Sequence, residues 1–282
     1  MMRTSEWIQT GFALLLAIAA WVTAFTPRPL PNRRRWIITA LATIAIVVVS
    51  LALAVSAHLS PANADVLRDW LTVPLFLIPY WQTGQFFLQP DPATQRRLLA
   101  FDQRLLPGIA STSGTGRTRI GFILEMAYLS CYPLVPLGLL AIYLTDHRSY
   151  VAAFWFVVLI STYLCYAITP FVPAFPPRSL VAESAAEPAN QAKSTNKGRI
   201  FNRWILRHGS IHAISFPSAH VASAFAVALV LLRCSLPAGL LFLLIAIAIS
   251  LGAVIGRYHY ALDVLLGAVV PLLVFLASYR YL

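Results

Sequence analysis

Two short polar stretches contain the side chains of this chain that are best suited to chemistry. In "GRYHYALDVLLG", His259 and Asp263 stand four residues apart where an apolar run begins, so they share one helical face. A carboxylate that accepts a hydrogen bond from one imidazole nitrogen leaves the other nitrogen as a nucleophile or base. The alternative is a structural His–Asp pair that anchors a helix end, because a carboxylate inside an apolar span needs a partner.

The second stretch is "SFPSAH", which ends at His220 and precedes another apolar run. Pro217 predicts the first turn of a helix, with Ser215 as the capping residue. The free amides from Ser218 onward and the positive end of the helix dipole predict an anion site, beside which His220 can donate a proton. The alternative is a serine cap followed by an interfacial histidine.

Two arginines accompany these stretches and are able to clamp an oxyanion. Arg257 precedes His259 by two residues, and Arg178 ends the proline-rich "ITPFVPAFPPR", where it is alternatively an ordinary interfacial arginine. One apolar run ends before Arg178, the next starts at His220, and the hairpin after it returns to His259, so all of them meet one membrane face. Together these groups form a set that can process a phosphate.

The composition indicates what must position these residues. The chain of 282 residues is 59% hydrophobic and 11% charged, against about 25% charged in a soluble domain. We therefore predict an all-α, polytopic transmembrane helical bundle of about eight spans, six of them forming the core from residue 71 onward. Glu125 and Asp263 are the only acids inside these spans, and Glu125 is expected to reach the interface. The expected spans are 8–26, 37–58, 71–89, 121–144, 150–170, 219–235, 237–256 and 261–279.

Both stretches resemble motifs of one family. "FPSAH" and "RYHYALDVLLG" are similar to the second and third motifs of the type 2 phosphatidic acid phosphatase (PAP2) superfamily, over about residues 121–282. The His-Tyr-x-x-Asp form and the upstream "PFVPAFPPR" resemble its inositol phosphorylceramide synthase-like branch more than the ordinary lipid phosphatases. The chain lacks the Lys-x6-Arg-Pro motif of those phosphatases, and it has Ala253 where their third motif has arginine.

The resemblance implies an integral-membrane lipid phosphatase or phosphotransferase that needs neither a metal nor another cofactor. It would cleave a phosphate ester or diphosphate of a lipid through a phosphohistidine on His259. Asp263 would orient that nucleophile, and His220 would protonate the leaving alcohol. The implied phosphate-binding residues are Arg178, Ser218 and Arg257.

Other functions remain open at this point. One alternative is transfer of phosphoinositol or another head group to a lipid alcohol rather than hydrolysis. A more remote one is a proton-coupled transporter, although that class tends to scatter polar residues through several spans or to use paired broken helices. A catalytically inactive, lipid-binding scaffold is a further possibility.

The pattern of apolar runs and linkers divides the chain into three parts. The loop in the last part ends in a basic helical face, with Arg199, Arg203 and Arg207 at four-residue spacing. Such a face is typical of a membrane interface. The expected parts are two N-terminal transmembrane helices in 1–60, a weak third span with an amphipathic basic linker in 61–120, and a catalytic helical domain in 121–282 with a mobile loop at 179–200.

The net charge of +11 does not indicate nucleic-acid binding, because the basic residues lie in loops between spans. They indicate topology and attraction to anionic lipid heads, so the expected partners are a lipid phosphate substrate and membrane lipids. The expected location is the bacterial inner (cytoplasmic) membrane, and the oligomeric state is open. If eight spans cross, 16 Lys and Arg lie on the active-site face and 5 on the other. That count favours a cytoplasmic site, whereas the resemblance implies the outer or lumenal face, and the orientation stays open.

Overall fold

The structure, a computed structural model, describes residues 1–26, 29–110, 119–184 and 214–281. These residues form helices joined by short turns and contain no β-strand. The predicted all-α polytopic bundle is therefore confirmed.

The helices follow in two groups along the chain. The N-terminal group is α1 (Thr4–Val22), α2 (Asn32–Ser56), α3 (Pro61–Leu75), α4 (Leu77–Gln85), α5 (Pro92–Leu105) and the single turn α6 (Pro107–Ala110). The C-terminal group is α7 (Arg119–Leu129), α8 (Cys131–Leu144), α9 (Val151–Ile168), α10 (Pro177–Ser184), α11 (Ala219–Cys234), α12 (Leu236–Ile255) and α13 (Ala261–Ser278).

Fewer helices than expected are long and apolar enough to cross a bilayer. Within the described ranges there are five such spans, and six if α7 and α8, which meet at a 58° bend, count as one. The expected span at 71–89 is not among them, because that region is split into α3 and α4, and α11 is an apolar helix too short to qualify. The charge count on the two faces assumed eight crossings, so it does not fix the orientation.

Helix α11 lies at the centre of the C-terminal group and packs against α8, α9, α12 and α13. Its buried face is rich in alanine, including Ala222, Ala224 and Ala226. Small residues let helix backbones approach closely within a membrane. At the turn into α12, a Cβ on Gly239 would lie 2.3 Å from the backbone nitrogen of Leu232, so only glycine fits there. The site residues that begin α11 are thus held by a tightly packed helix.

Helices α1 to α4 form a second packed unit beside this core. The side-chain amide of Gln82 on α4 donates to the backbone oxygens of Ala13 and Ile38, at 3.0 and 2.9 Å. The amide of Gln9 on α1 donates to the backbone oxygen of Thr72 at 2.9 Å. Hydrogen bonds between membrane helices contribute about 0.6 to 2 kcal/mol each, so these buried amides tie α3 and α4 to the N-terminal spans.

The expected amphipathic basic linker contains the helix α5. Asp91 caps it by accepting the amide hydrogen of Thr94 at 2.8 Å, and Pro92 occupies the first helical position. The helix packs against α13. Its buried residues are Gln95, Leu98 and Asp102, spaced for one helical face.

Part of the long loop lies outside the described residues. The expected mobile loop at 179–200 begins within α10, and its residues from 185 onward are not described. The expected basic face of Arg199, Arg203 and Arg207 also falls in the undescribed range 185–213.

Candidate active site

The turn between α12 and α13 presents the predicted His–Asp pair. The Nδ1 atom of His259 lies 3.2 Å from Oδ2 of Asp263, and both side chains are buried. The same oxygen accepts the amide hydrogen of Tyr260 at 3.3 Å. Asp263 therefore occupies the first turn of α13, where the helix dipole favours a carboxylate, and the Nε2 atom of His259 is not used by this contact.

The start of α11 is fixed against the start of α13. The amide of Ser218 donates to the backbone oxygen of Asp263 at 3.0 Å. A Cβ on Gly267 would lie 2.7 Å from the backbone oxygen of Ser218, so the two helices approach this closely only because residue 267 is glycine. The contact brings the "SFPSAH" and "RYHYALD" stretches together.

The two histidine rings meet at this junction. Their centres are 6.0 Å apart and their planes are nearly perpendicular, at 84°. The ring of His220 also meets Tyr128 and Tyr132 edge to face, at centre distances of 6.2 and 5.8 Å. His220 thus faces His259 on one side and aromatic side chains on the others.

The helix cap differs from the expectation. Helix α11 begins at Ala219 with Ser218 as its cap, so the prediction that Pro217 occupies the first turn is wrong. The prediction of free amides is also wrong in part, because those of Ser218, Ala219 and Val221 all have partners. The prediction that Ser215 is the capping residue is therefore wrong, although its Oγ also accepts the amide hydrogen of Ala219 at 3.2 Å. The Ser218 hydroxyl accepts that of Val221 at 3.4 Å and is fully buried.

Arg257 is held by a carboxylate that the sequence reasoning missed. Its backbone has a φ of 62°, in the left-handed region that non-glycine residues seldom adopt, and its side chain is buried. Its Nη1 atom lies 3.3 Å from Oδ2 of Asp102 on α5. The other oxygen of Asp102 accepts the amide hydrogen of Ala261 at 2.9 Å. Asp102 therefore holds both the arginine and the first residue of α13.

The environment of Asp102 sets its protonation. Burial raises the pKa of this carboxyl above its usual value, while the amide of Ala261 and the charge of Arg257 act in the opposite direction. Removing Arg257 would take away part of what keeps the carboxylate ionised. The pair is therefore a coupled unit rather than two independent charges.

Arg178 reaches the same junction through its backbone and its side chain. Its amide donates to the backbone oxygen of Arg257 at 3.0 Å. Its guanidinium lies over the ring of Tyr258, 4.9 Å from the ring centre, and is only partly buried. The proline-rich turn thus lies directly beside the segment that carries His259.

Glu125 does not reach the membrane interface as expected. It is 1% exposed, and its carboxylate accepts a hydrogen bond from the hydroxyl of Tyr258. The Tyr258 ring stacks in parallel on Tyr128, with 4.1 Å between the ring centres. The expectation is wrong because α7 packs against α12, and Glu125 lies on the side of α7 that is buried in the protein.

Several residues at the site were not singled out from the sequence, among them Gln95 and Asp102. The amide of Gln95 contacts the hydroxyl of Tyr260, and its side-chain oxygen accepts the amide hydrogen of Phe175 at 2.9 Å. The sequence contained one pattern that could have identified them, because Gln95, Leu98 and Asp102 share a helical face. Two polar residues beside a leucine on that face indicate a polar contact in the interior.

Two buried polar atoms of the site have no hydrogen-bond partner among the described residues. They are Oδ1 of Asp263 and Nε of Arg257. Buried polar groups are nearly always paired, so each unpaired one calls for an explanation. The described residues also contain no group of three or more His, Cys, Asp or Glu side chains arranged to hold a metal ion.

The histidine, arginine and acidic residues of this site lie within the part of the chain that matches a known family. The family model of the PAP2 superfamily matches residues 96–277, and the chain belongs to that superfamily. Neither the curated proteins nor the solved structures contain a match to the chain. Membership supports a phosphatase- or phosphotransferase-type enzyme, and the long apolar helices are those of an integral membrane protein. The match covers the superfamily as a whole and does not single out the inositol phosphorylceramide synthase-like branch.

Proposed function

We propose that this protein is a membrane enzyme that cleaves the phosphate ester or diphosphate of a lipid through a phosphohistidine intermediate. The observation that carries the proposal is the meeting of His220 with the His259–Asp263 pair at one buried junction of the helical bundle. A nucleophile, its orienting carboxylate and a second imidazole are the groups needed for covalent phosphoryl transfer.

In the first step, Nε2 of His259 attacks phosphorus, and a nitrogen–phosphorus bond forms while the bond to the leaving oxygen breaks. Asp263 accepts a hydrogen bond from Nδ1–H, which keeps the lone pair on Nε2 and stabilises the charge that develops on the ring. His220 gives its proton to the leaving oxygen. The ring centres of the two imidazoles lie 6.0 Å apart, and in this mechanism both act on the same phosphoryl group.

In the second step, an acceptor hydroxyl attacks the phosphohistidine and the nitrogen–phosphorus bond breaks. His220, now neutral, takes the proton of the acceptor. If the acceptor is water, the product is phosphate or a phosphomonoester, and if it is a lipid alcohol, the head group is transferred. Both reactions use the same protein groups.

The arginines supply the positive charge that the phosphoryl oxygens require. The unpaired Nε–H of Arg257 is a ready donor, and the carboxylate of Asp102 holds its guanidinium in place. Arg178 is partly exposed beside it and supplies a second cation. The hydroxyl hydrogen of Ser218 is a further donor, because its oxygen acts only as an acceptor within the helix cap.

The main test uses purified protein in detergent with phosphatidic acid, a prenyl diphosphate, phosphatidylglycerophosphate and phosphatidylinositol. Free phosphate and transferred head group are measured separately, so that hydrolysis and transfer are distinguished. We expect turnover of at least one substrate, inhibition by vanadate, and loss of turnover in His259→Ala with the same thermal unfolding temperature. Full activity of His259→Ala would contradict the proposal.

The role of His220 has a sharper test, because a good leaving group needs no proton. In the first turnover, His220→Ala should lose most of the alcohol release from an alkyl phosphate but keep most of the p-nitrophenol release from p-nitrophenyl phosphate, while the second step is slow with both. In the same variant, a radiolabelled p-nitrophenyl phosphate should still label His259. An equal loss on both substrates would show that His220 does not act as the general acid.

A further inference from the structure

A cavity of about 480 Å³ lies between the N-terminal helices and the candidate active site. Its walls are mostly apolar and aromatic. Helices α3 and α4 supply Val73 to Trp81 on one side, and α8, α9 and α11 supply the other. This volume is within the range of about 300–1,000 Å³ that is typical of sites for one small ligand.

The cavity adjoins only one of the two histidines. His220 is part of its wall together with Ala219 and Ser223, whereas His259 does not line it. In a phosphoryl transfer, the attacking and leaving atoms lie on opposite sides of phosphorus. With His259 as the nucleophile, the leaving oxygen therefore points toward His220 and toward this cavity.

We propose that the cavity holds a single hydrocarbon chain, that of the alcohol released from the lipid phosphate. We further propose that the segment of residues 73–81 selects which chain is accepted. The proposal rests on the proposed function for the direction of the leaving group. It also rests on the continuity of the cavity with His220 and on the apolar character of its walls.

The selecting segment lies outside the part of the chain that the family model matches, which starts at residue 96. Six of the fourteen residues that line the cavity come from this segment, so its sequence decides much of the shape. Gln82 and the Gln9–Thr72 contact hold the segment against α1 and α2. The N-terminal helices thereby acquire a role, which is to support one wall of a substrate site.

Three of the residues that line the cavity remain partly exposed on the outside of the bundle. Leu77 and Trp81 are 44% and 42% exposed, and Tyr132 on the opposite wall is 38% exposed. A chain can therefore enter from the surrounding lipid. Since lipid tails are as apolar as leucine, transfer from the bilayer brings little hydrophobic gain. Shape and packing must then determine which chain fits.

The first test locates the chain directly and does not depend on turnover. An alkyl phosphonate with a photoreactive group at the end of its chain is bound to the wild-type protein in lipid nanodiscs. After irradiation, the labelled peptides are identified by mass spectrometry. We expect labels in residues 73–81 and in the facing residues 131–136, and competition by vanadate. Labels confined to the outer faces of α12 and α13, or no specific label, would overturn the proposal.

The second test changes the shape of the cavity. Val73→Trp fills part of it, and Val66→Trp is the matched control, since Val66 lies on the same helix but does not line the cavity. Activity is measured on single-chain alkyl phosphates of increasing length and on phosphatidic acid. Val73→Trp should lower kcat/KM for long chains about tenfold more than for short chains, a size that apolar pockets commonly give.

The possible outcomes distinguish a failure of the cavity proposal from a failure of the proposed function. If no phosphate substrate is turned over and His259→Ala behaves like the wild type, the proposed function fails, while the photolabel still reports where the chain binds. If turnover depends on His259 but Val73→Trp lowers kcat/KM equally for substrates of every chain length, the selecting role of residues 73–81 is wrong. A preference for phosphatidic acid over every single-chain substrate, unaffected by Val73→Trp, would also overturn it.

Discussion

The two ends of helix α8 lie beside two groups of charged residues that differ in how completely their atoms are paired. Tyr132, near the start of α8, contacts His220 of the candidate site, and Tyr143, near its end, donates to Asp69 at 2.7 Å. The two tyrosines are eleven positions apart along the helix, which corresponds to about 16 Å. The group at the Tyr143 end, here called the N-terminal ion cluster, consists of Arg3, Glu6, Asp65, Arg68 and Asp69.

Every carboxylate of the N-terminal ion cluster has an arginine partner. Arg68 donates to both oxygens of Glu6 at 2.7 Å, and Arg3 pairs with Asp65 and Asp69. The cluster joins the start of α1 to α3. It also shows that Asp263 and Glu125 are not the only acids inside the spans, because Glu6 lies within the first one.

The candidate site is paired less completely. Oδ1 of Asp263 and Nε of Arg257 have no hydrogen-bond partner among the described residues, although both side chains are buried. A fully paired cluster has its hydrogen-bonding capacity used within the protein, so its expected contribution is to stability. A buried site with unpaired donors and acceptors retains capacity for a ligand. The following variants test this difference.

The largest effect on activity is expected for Asp263→Asn. In the proposed mechanism the charge of Asp263 orients His259, and the amide removes it; the corresponding change in an orienting aspartate lowers turnover by about 10⁴-fold. The free energy of unfolding should fall by no more than about 1 kcal/mol, because a desolvated carboxylate with one unpaired oxygen stabilises the fold little. Phosphate release and thermal unfolding in detergent measure the two quantities. A variant with at least half of the wild-type turnover would contradict the orienting role.

A smaller loss is expected for Asp102→Asn, which breaks the ion pair with Arg257 but still accepts the amide hydrogen of Ala261. We expect kcat/KM to fall roughly 10- to 100-fold, since a misplaced positioning group commonly costs this much. Vanadate should also bind more weakly. The matched control is Asp91→Asn on the same helix, where asparagine caps as well as aspartate. If both variants lose activity equally, the effect comes from α5 as a whole and not from Arg257.

The packing of α11 on α13 is tested by Gly267→Ala. The new Cβ would lie 2.7 Å from the backbone oxygen of Ser218, so α11 must shift and carry His220 with it. Turnover should fall about tenfold, in line with the sensitivity of catalysis to small displacements. Gly11→Ala is the control, because a Cβ at Gly11 meets no atom within 4 Å. Unchanged turnover in Gly267→Ala would mean that the position of His220 is less critical than proposed.

The smallest effect on activity, and a clear one on stability, is expected for Glu6→Gln. The variant leaves Arg68 without its charged partner, and the free energy of unfolding should fall by about 2 kcal/mol, between the values for exposed and fully buried pairs. Turnover should stay within about twofold of the wild type because the site is far away. Asp65→Asn, at an exposed position of the same cluster, should change the unfolding temperature less. A large loss of turnover in Glu6→Gln would remove the distinction between the two clusters.

Local features of the fold were predictable from the sequence, and long-range ones were not. The pairing of His259 with Asp263 was predictable because the two residues are only four positions apart, although His259 lies in the turn before α13 and not on the helical face that the sequence suggested. The ion pair of Asp102 with Arg257 joins residues 155 positions apart and depends on how α5 docks. The span expected at 71–89 failed for a related reason, because hydropathy does not show where two short helices separate.

The amino-acid sequence by itself determined that the chain is an all-α membrane protein, and it placed His259, Asp263 and a second histidine, His220, at the ends of apolar helices. These properties follow from composition and helical periodicity, which act over a few residues. Only the tertiary structure decided that Glu125 is buried beside Tyr258, that Asp102 holds Arg257, and that residues 73–81 wall a cavity next to His220. Such contacts join segments that are distant in the sequence. They are determined by the close packing of whole helices and not by a local sequence pattern.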